Sequence, residues 1–317
     1  MMGGWEGKMK WFTEEDRKLD RAIAERAFGF RLPDALYRVL EAAWKKEGGY
    51  GHEFEGHFHA VTGLTFGGAE CRYDHTPPEL FPVGYLGVDG VHYGCVIHAP
   101  ENAKSDYPFA QFSPVDEEGL IWVGRNAAEG LESLVSMRLD LLEAEELTPE
   151  ETEDAREKLA ELQQILKIEP SSAKAGRVFD PEPEVPAGWR YLGTDDQVGV
   201  LAPESAFSPT DPHRFDPAWP AAIFADRANK ALDKEHPATA LFYAREGWWL
   251  LWSKDDRGKA DLRDVFADAY RALGRGKLAD IVEGEEEPGE GERVPYEDIR
   301  EVFNEEPGNP SPRRKGK

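Results

Sequence analysis

The sequence predicts an α+β protein in which helices pack on a mainly antiparallel sheet, followed by a second, smaller α+β domain. Two observations predict this fold. Apolar residues recur at helical spacing on both sides of a central stretch, and within that stretch short apolar runs alternate with glycine and proline. A proline-rich segment then separates this part from a shorter one with a similar mixture of patterns.

Helices are predicted before and after the central stretch. Pro33 occupies a favoured first-turn position for a helix whose apolar stripe includes Leu36 and Leu40. The sequence Thr148-Pro149-Glu150-Glu151 is a capping box with proline in the first helical turn, and it predicts a helix that runs to about Lys167. Helices therefore flank the predicted strands along the chain.

Between Tyr50 and Trp122 the pattern is that of short strands joined by turns. The apolar runs are brief and are separated by turn-forming residues, which is typical of antiparallel strands. The runs are GHFHAVTGLTF, ELFPVGYLGV, VHYGCVIHA, PFAQFSP and GLIWVG. Gly51 and Gly56 argue against a helix around the first run, because glycine weakens helices.

Composition divides the chain into four parts. The first domain is predicted at residues 1–168, and residues 169–186, which hold four prolines, are predicted to form a linker. The second domain is predicted at residues 187–282. Residues 283–317 are rich in glutamate, glycine and proline and are predicted to be a disordered acidic tail.

The second domain is predicted to combine strands and helices. GWRYLG and VGVLAP are candidate strands, and a helix is predicted from Ala260 to Leu273. The runs ATALFYAR and WWLLWS flank Glu246-Gly247, which predicts a β-hairpin that turns at this dipeptide. Trp248, Trp249 and Trp252 would then alternate between the two sides of the hairpin.

The net charge of −24 at pH 7 is concentrated in two segments. Residues 140–161 and 283–306 together supply 17 of these negative charges. Because an anionic protein repels a phosphate backbone, nucleic acid is not an expected partner. The acidic segments are interpreted first as solvated helix faces and a disordered tail. A protein partner, such as a toxin or a basic protein, and an acidic decoy that imitates nucleic acid stay as alternatives for what the acidic surface does.

The sequence predicts a cytoplasmic protein that does not associate with membranes. No stretch approaches the ~20 apolar residues that a membrane-spanning helix needs. The first residues contain no apolar run followed by a small-residue cleavage site, so no signal peptide is predicted. Cys71 and Cys95 are too few for a disulfide framework, which favours reduced thiols in a cytosol.

Histidine is concentrated in residues 52–98, which hold six of the eight histidines and both cysteines. These residue types bind zinc. On a strand, His57 and His59 would point to one face and could provide two ligands. The spacing of His52 and His57 misses the H-E-x-x-H pattern by one residue. A metal-dependent hydrolase that uses this segment is therefore the alternative function, while the main expectation includes no metal or other cofactor.

No catalytic motif is recognised, so we expect no enzymatic activity. The sequence contains no G-x-S-x-G nucleophile elbow. Two neighbouring Asp/His pairs could orient an imidazole for acid–base catalysis, but both lie at predicted turns, where aspartate is a common turn former. We interpret these loops and nearby aromatic residues as a binding face. The candidate partner-binding residues are Tyr73, Asp74, His75, Tyr85, Asp89, His92 and Trp122.

Two motifs of the first domain occur in a recognisable order. The first is Gly29-Phe30-Arg31-Leu32-Pro33, followed by an amphipathic helix that ends at Gly48-Gly49. The second is Phe81-Pro82, followed by the strand turn in residues 89–94. This order resembles the SUKH superfamily, which includes fungal cell-wall-assembly regulators and many bacterial immunity proteins. The likeness covers residues 14–135.

The resemblance implies an α+β fold and a protein-binding role without chemistry. In the immunity proteins of the superfamily, that role is the occlusion of a toxin. The predicted second domain lies outside the resemblance. The main functional prediction is therefore a non-catalytic module that binds another protein, as an immunity or regulatory factor that occludes its partner.

Overall fold

A computed structural model describes most of the chain between residues 12 and 284. The described residues are 12–13, 18–19, 21–47, 52–68, 72–73, 75–86, 90–102, 104–115, 119–144, 148–167, 184–210, 215–251 and 258–284. Nearly all of the predicted linker and of the predicted tail lies outside these residues. The predicted domain boundaries therefore stay predictions, whereas the α+β class is confirmed.

Helices and strands alternate in blocks along the described chain. The helices are α1 Arg21–Phe28, α2 Asp34–Glu47, α3 His52–Thr62, α4 Ala127–Ala144, α5 Pro149–Leu166, α6 Ala221–Leu232, α7 Pro237–Leu251, α8 Lys259–Ala272 and α9 Gly276–Glu283. The strands are β1 Phe12–Thr13, β2 Lys18–Leu19, β3 Thr65–Phe66, β4 Leu80–Tyr85, β5 His92–Val96, β6 Phe109–Phe112, β7 Leu120–Gly124, β8 Trp189–Leu192 and β9 Val200–Pro203. None of the helices in the described residues is both long and apolar enough to cross a lipid bilayer.

The central sheet is an antiparallel meander in which strand order follows chain order from β3 to β7. Strand β4 lies against β5 with Phe81 opposite Cys95, and the register shifts between Pro82 and Gly84. The strands predicted from the last four apolar runs are confirmed. Strands β8 and β9 form a separate antiparallel pair, as the second part of the sequence predicted.

The capping signal at the start of α5 is confirmed. The Thr148 hydroxyl accepts a hydrogen bond from the Glu151 backbone N–H at 3.4 Å, and the Glu151 carboxylate accepts one from the Thr148 backbone N–H at 3.1 Å. The helix ends at Leu166, where Lys167 takes the left-handed conformation of a C-cap. Arg38 of α2 donates to the carbonyl groups of the last two helical residues and so fixes this end.

Both faces of the central sheet are covered by apolar cores. Neighbouring strand residues point to opposite faces, so Cys95 contributes to the core formed with the N-terminal helices while Val96 contributes to a second core. The second core contains sheet residues together with Val198 and Trp249 from the C-terminal half. Residues of the C-terminal half therefore cover the second face of the sheet, while other residues of this half belong to the same large core as the N-terminal helices.

Most of the first apolar run forms helix α3 and only its last two residues form a strand, β3, so the prediction was wrong for the larger part of the run. Phe58 and Val61 are three positions apart on one face of α3 and are buried in the large core. Gly56 faces open space, with no atom within 4 Å of the position of an added Cβ. A glycine on the exposed side of a helix costs only about 1 kcal/mol relative to alanine, which the burial of this apolar face outweighs.

The hairpin predicted around Glu246-Gly247 was also wrong, because these residues lie inside helix α7. Nearly the whole circumference of α7 is buried, so its sequence lacks the one-sided periodicity that reveals a surface helix. Gly247 permits close packing of α6 against α7. A Cβ at this position would lie 2.6 Å from the Phe224 Cβ. Trp248 and Trp249 are therefore successive residues of a helix.

Candidate functional site

Three of the predicted binding residues lie together at one end of the sheet. The Tyr73 ring stacks on the His92 ring, with centroids 5.9 Å apart and an angle of 26° between the planes. The His92 Nδ1 lies 2.9 Å from the Gly90 carbonyl oxygen, and its Nε2 lies 3.3 Å from the Thr76 hydroxyl. Because a carbonyl only accepts, Nδ1 carries the proton and Nε2 accepts from Thr76. The hydrogen-bonded His92 ring therefore covers one face of the Tyr73 ring.

His75 connects this group to the loop that follows β6. Its Nε2 donates to the Pro114 carbonyl oxygen at 3.1 Å. The His75 and His92 rings each pack against Phe112 with centroids 5.3 Å apart. Burial lowers the pKa of His92 to about 4, and the positive charge of Arg72 acts in the same direction. His92 is therefore neutral at pH 7, and its hydrogen bonds and ring contacts hold the neighbouring loops in place.

The other predicted binding residues do not all join this group. Tyr85 pairs with His92 across strands β4 and β5 and is half-buried. Asp74 and Asp89 lie outside the described residues. The placement of Trp122 on a binding face was wrong, because its ring is buried in the second core and its Nε1 donates to the Gln197 carbonyl oxygen at 3.1 Å.

Exposed hydrophobic side chains lie at the same end of the sheet as the Tyr73 ring. Of the five large hydrophobic residues that are exposed in the described chain, three lie here: Tyr73 (47% exposed), Leu86 (43%) and Val115 (62%). Gly90 allows the segments that carry Tyr73 and Val115 to approach each other, since a Cβ at this position would lie 2.5 Å from the Tyr73 hydroxyl oxygen and 2.7 Å from the Cγ of Pro114, the residue before Val115. We call the exposed surface of Tyr73, Leu86 and Val115 the Tyr73 patch.

Two backbone features hold the Tyr73 patch in shape. Gly90 has φ +66°, a left-handed conformation that glycine adopts without strain, and this closes the turn between β4 and β5. The Leu86 backbone N–H donates to the Val91 carbonyl oxygen at 2.9 Å across the same turn. Contiguous exposed apolar surface is uncommon on soluble proteins and typically marks a site of interaction.

The histidine-rich segment does not assemble the predicted pair of metal ligands. His57 and His59 lie on helix α3, where residues two apart point in nearly opposite directions. His75 and His92 are engaged by backbone and side-chain groups at the end of the sheet. Within the described residues, no group of three or more His, Cys, Asp and Glu side chains is placed to hold a metal ion.

A buried ionic cluster that was not predicted joins the two halves of the chain. The Arg245 guanidinium contacts the Asp196 Oδ2 at 2.8 Å and the Tyr270 hydroxyl at 2.6 Å, and it forms a salt bridge with Glu79. The Tyr270 hydroxyl also donates to the Glu79 Oε1 at 2.8 Å. Burial alone would lower the pKa of Arg245, but the carboxylate of Glu79 beside it raises that pKa well above the usual value.

Two further buried groups lie near this cluster. His98 has its pKa lowered well below the usual value, first by burial and then by the positive charges of Arg275 and Arg245. Arg275 donates to the Leu201 carbonyl oxygen, and burial lowers its pKa. The Arg245 guanidinium is buried and paired with the carboxylates of Glu79 and Asp196, which fits a connection between the halves. Within the described residues, however, several buried polar atoms in and beside the cluster have no hydrogen-bond partner: Glu79 Oε2, Arg245 Nε, Arg275 Nη1 and both ring nitrogens of His98.

Glu246, next to Arg245 in α7, also has a strongly shifted pKa. Its Oε1 accepts a hydrogen bond from the Asp195 backbone N–H at 3.1 Å. Burial raises the pKa of Glu246 to about 8, and the negative charges of Asp195 and Asp196 add to this effect. The signal in the sequence was the charged pair Arg245-Glu246 inside a long apolar run, which is rare unless both groups have partners.

Comparison with models of protein families gave no match, and comparison with curated proteins gave no match either.

Proposed function

We propose that this protein is a non-catalytic protein-binding module, and that the Tyr73 patch is the surface that contacts its partner. The observation that carries this proposal is the clustering of exposed Tyr73, Leu86 and Val115 at one end of the sheet. Aromatic and aliphatic side chains that pack against ordered residues are typical of the centres of protein interfaces.

The support under the patch favours recognition without large rearrangement. The Tyr73 ring is held by stacking on His92, and the loop beneath it is fixed by hydrogen bonds from His75 and His92. A surface that is ordered before binding loses less conformational entropy when a partner docks. This role is the one that the resemblance to the SUKH superfamily implies, and an immunity or regulatory factor that occludes its partner is the form we propose.

The cytoplasm is the location that we propose for this binding function. Cys95 is a free, buried thiol, and burial raises its pKa well above the usual value. A thiol in this state is unreactive and is compatible with a reducing compartment.

The proposal is tested by measuring where a partner binds. A photo-reactive residue at position 86 should cross-link the partner in cells that produce the protein, whereas the same residue at position 223 should not. For the partner identified in this way, the triple variant Tyr73→Ala, Leu86→Ser, Val115→Ser should weaken binding by at least about 100-fold, as loss of an interface centre does.

The matched control is the variant Val185→Ser, Ile223→Ser, which removes the two exposed hydrophobic residues outside the patch. This control should bind the partner as the wild type does. Equal affinity of the triple variant and the wild type, with both folded by circular dichroism, would show that the partner uses another surface.

A further inference from the structure

Buried polar atoms without a hydrogen-bond partner are concentrated where the two halves of the chain meet. In the described residues, eight buried side-chain nitrogen and oxygen atoms lack such a partner. Six of them belong to five residues that we call the polar junction: Glu79 Oε2, both ring nitrogens of His98, Arg245 Nε, Glu246 Oε2 and Arg275 Nη1. Because an unpaired polar atom in a protein interior has lost its hydrogen bonds with water, this concentration calls for a bonding partner.

Backbone hydrogen bonds bring the polar junction together from distant parts of the chain. The Ile97 N–H donates to the Glu79 carbonyl oxygen at 2.8 Å, which places His98 beside the segment of Glu79. The Arg275 N–H donates to the Tyr270 carbonyl oxygen at 2.9 Å, and the Tyr270 hydroxyl donates to the Glu79 Oε1 at 2.8 Å. After burial, the positive charge of Arg275 is the strongest influence that lowers the pKa of His98, so these side chains are also close.

The charges around the polar junction balance without an additional ion. Arg245 and Arg275 are positively charged, whereas the carboxylates of Glu79 and Asp196 are negatively charged. Burial raises the pKa of Glu246 to about 8, so this group is neutral at pH 7. An anion bound here would add an unbalanced negative charge to the interior, which is costly. A metal ion is not favoured either, because no group of three or more His, Cys, Asp and Glu side chains in the described chain could hold one.

The unpartnered atoms include both donors and acceptors. Arg245 Nε and Arg275 Nη1 can only donate hydrogen bonds, whereas the ionised Glu79 carboxylate can only accept them. A neutral His98 ring presents one nitrogen of each kind. An anion such as sulfate or chloride would serve only the donors. A water molecule serves both kinds, because it donates and accepts.

We propose that the polar junction binds internal water molecules, which complete its hydrogen bonds and form part of the contact between the two halves. Because a buried water makes about three hydrogen bonds, the six atoms correspond to about two waters. Immobilising a water costs less free energy than leaving buried charged groups unpaired, so the site retains its waters. This inference is independent of the proposed partner-binding function.

The direct test is a crystal structure of the full chain at a resolution that shows ordered water. Water oxygens should lie about 2.7–3.2 Å from Glu79 Oε2, from Arg275 Nη1 and from a ring nitrogen of His98. Two results would overturn the inference. One is that protein groups alone satisfy these atoms, and the other is that a sulfate, phosphate or chloride ion occupies their common site.

A second test counts internal waters in solution by oxygen-17 magnetic relaxation dispersion of the full chain. The variant His98→Leu removes both ring nitrogens, so the dispersion amplitude should fall by about one water. The variant His98→Asn keeps a donor and an acceptor at this position and should keep the wild-type amplitude.

The matched control is His59→Leu, which removes an exposed imidazole from helix α3 and should leave the amplitude unchanged. Circular dichroism establishes that each variant is folded. An unchanged amplitude in folded His98→Leu, or an equal decrease in the His59 variant, would contradict the assignment of the waters to the polar junction.

Discussion

Arg245 of helix α7 and Glu79, next to the start of strand β4, form a buried ion pair between residues 166 positions apart in the chain. The guanidinium also donates hydrogen bonds to Asp196 and Tyr270, while its Nε has no partner among the described residues. A buried pair of this kind contributes little net stability relative to apolar packing, but loss of one partner leaves the other charge buried and unpaired. The pair therefore makes the docking of the C-terminal half on the sheet highly sensitive to substitution.

Replacing Arg245 with methionine should lower the free energy of unfolding by about 3–5 kcal/mol, because Glu79 and Asp196 would both lose their counter-charge. Urea denaturation followed by tryptophan fluorescence measures this change. The comparison is Lys230→Met, which removes an ion pair with Asp226 in which both side chains are exposed, and it should cost less than about 1 kcal/mol. Similar losses for the two variants would contradict the importance assigned to the buried pair.

Replacing Glu246 with glutamine should stabilise the protein at pH 8. The folded-state pKa of about 8 lies above the ordinary value of 4.5, so the folded state holds the proton more tightly than the unfolded state does. This contribution to stability is complete below pH 4.5, and it is lost progressively as the pH rises to about 8.

The loss is at most about 5 kcal/mol well above pH 8, because burial of the ionised carboxylate is what costs free energy. Urea midpoints measured from pH 5 to pH 9 should fall less for Glu246→Gln than for the wild type. The surface variant Glu204→Gln should follow the wild-type curve. Parallel curves for the Glu246 variant and the wild type would rule out this ionisation.

Replacing His92 with asparagine should reduce the sensitivity of the fold to acid. The folded-state pKa of about 4 lies below the ordinary value of 6.5, so the folded state favours the neutral ring. The associated stability is complete above pH 6.5 and is lost as the pH falls towards 4, by up to about 3 kcal/mol. The difference in unfolding free energy between pH 7 and pH 4.5 should therefore be smaller in the variant. An unchanged difference would mean that His92 does not titrate as its burial requires.

Two glycine-to-alanine substitutions should have opposite effects. Gly247→Ala would force α6 away from α7, since the new Cβ would lie 2.6 Å from the Phe224 Cβ, and we expect a loss of about 1–3 kcal/mol. Gly56→Ala lies in α3 with open space around the position of the added Cβ, so it should stabilise the protein by about 0.5–1 kcal/mol. Thermal denaturation of both variants checks the pair, and destabilisation by Gly56→Ala would contradict the helical assignment of α3.

Local signals were sufficient to predict the elements whose chemistry lies within a few residues. The capping box at Thr148 and the proline at position 33 identified two helices, and glycine and proline between apolar runs identified strands β4 to β7. These signals act over one turn of helix or one strand, so the sequence displays them directly.

The errors came from residues whose conformation depends on distant contacts. Helix α7 is buried between other helices, and Gly247 in it was interpreted as a turn because the approach of Phe224 is not visible in the sequence. The same limit applies to the site. Tyr73, His75 and His92, three of the predicted binding residues, lie together, and whether they bind a partner stays a prediction. The exposed Leu86 and Val115 were not predicted, because their exposure results from how the loops meet around the sheet.

The coverage of both sheet faces limits how this protein can present itself to others. Its strands cannot serve as a flat platform for a partner, whereas the exposed Leu86 and Val115 lie in the loops that follow β4 and β6. Loops accept replacements with little effect on the core. Under the proposed binding function, specificity would change through the composition of these loops while the scaffold beneath them stays the same.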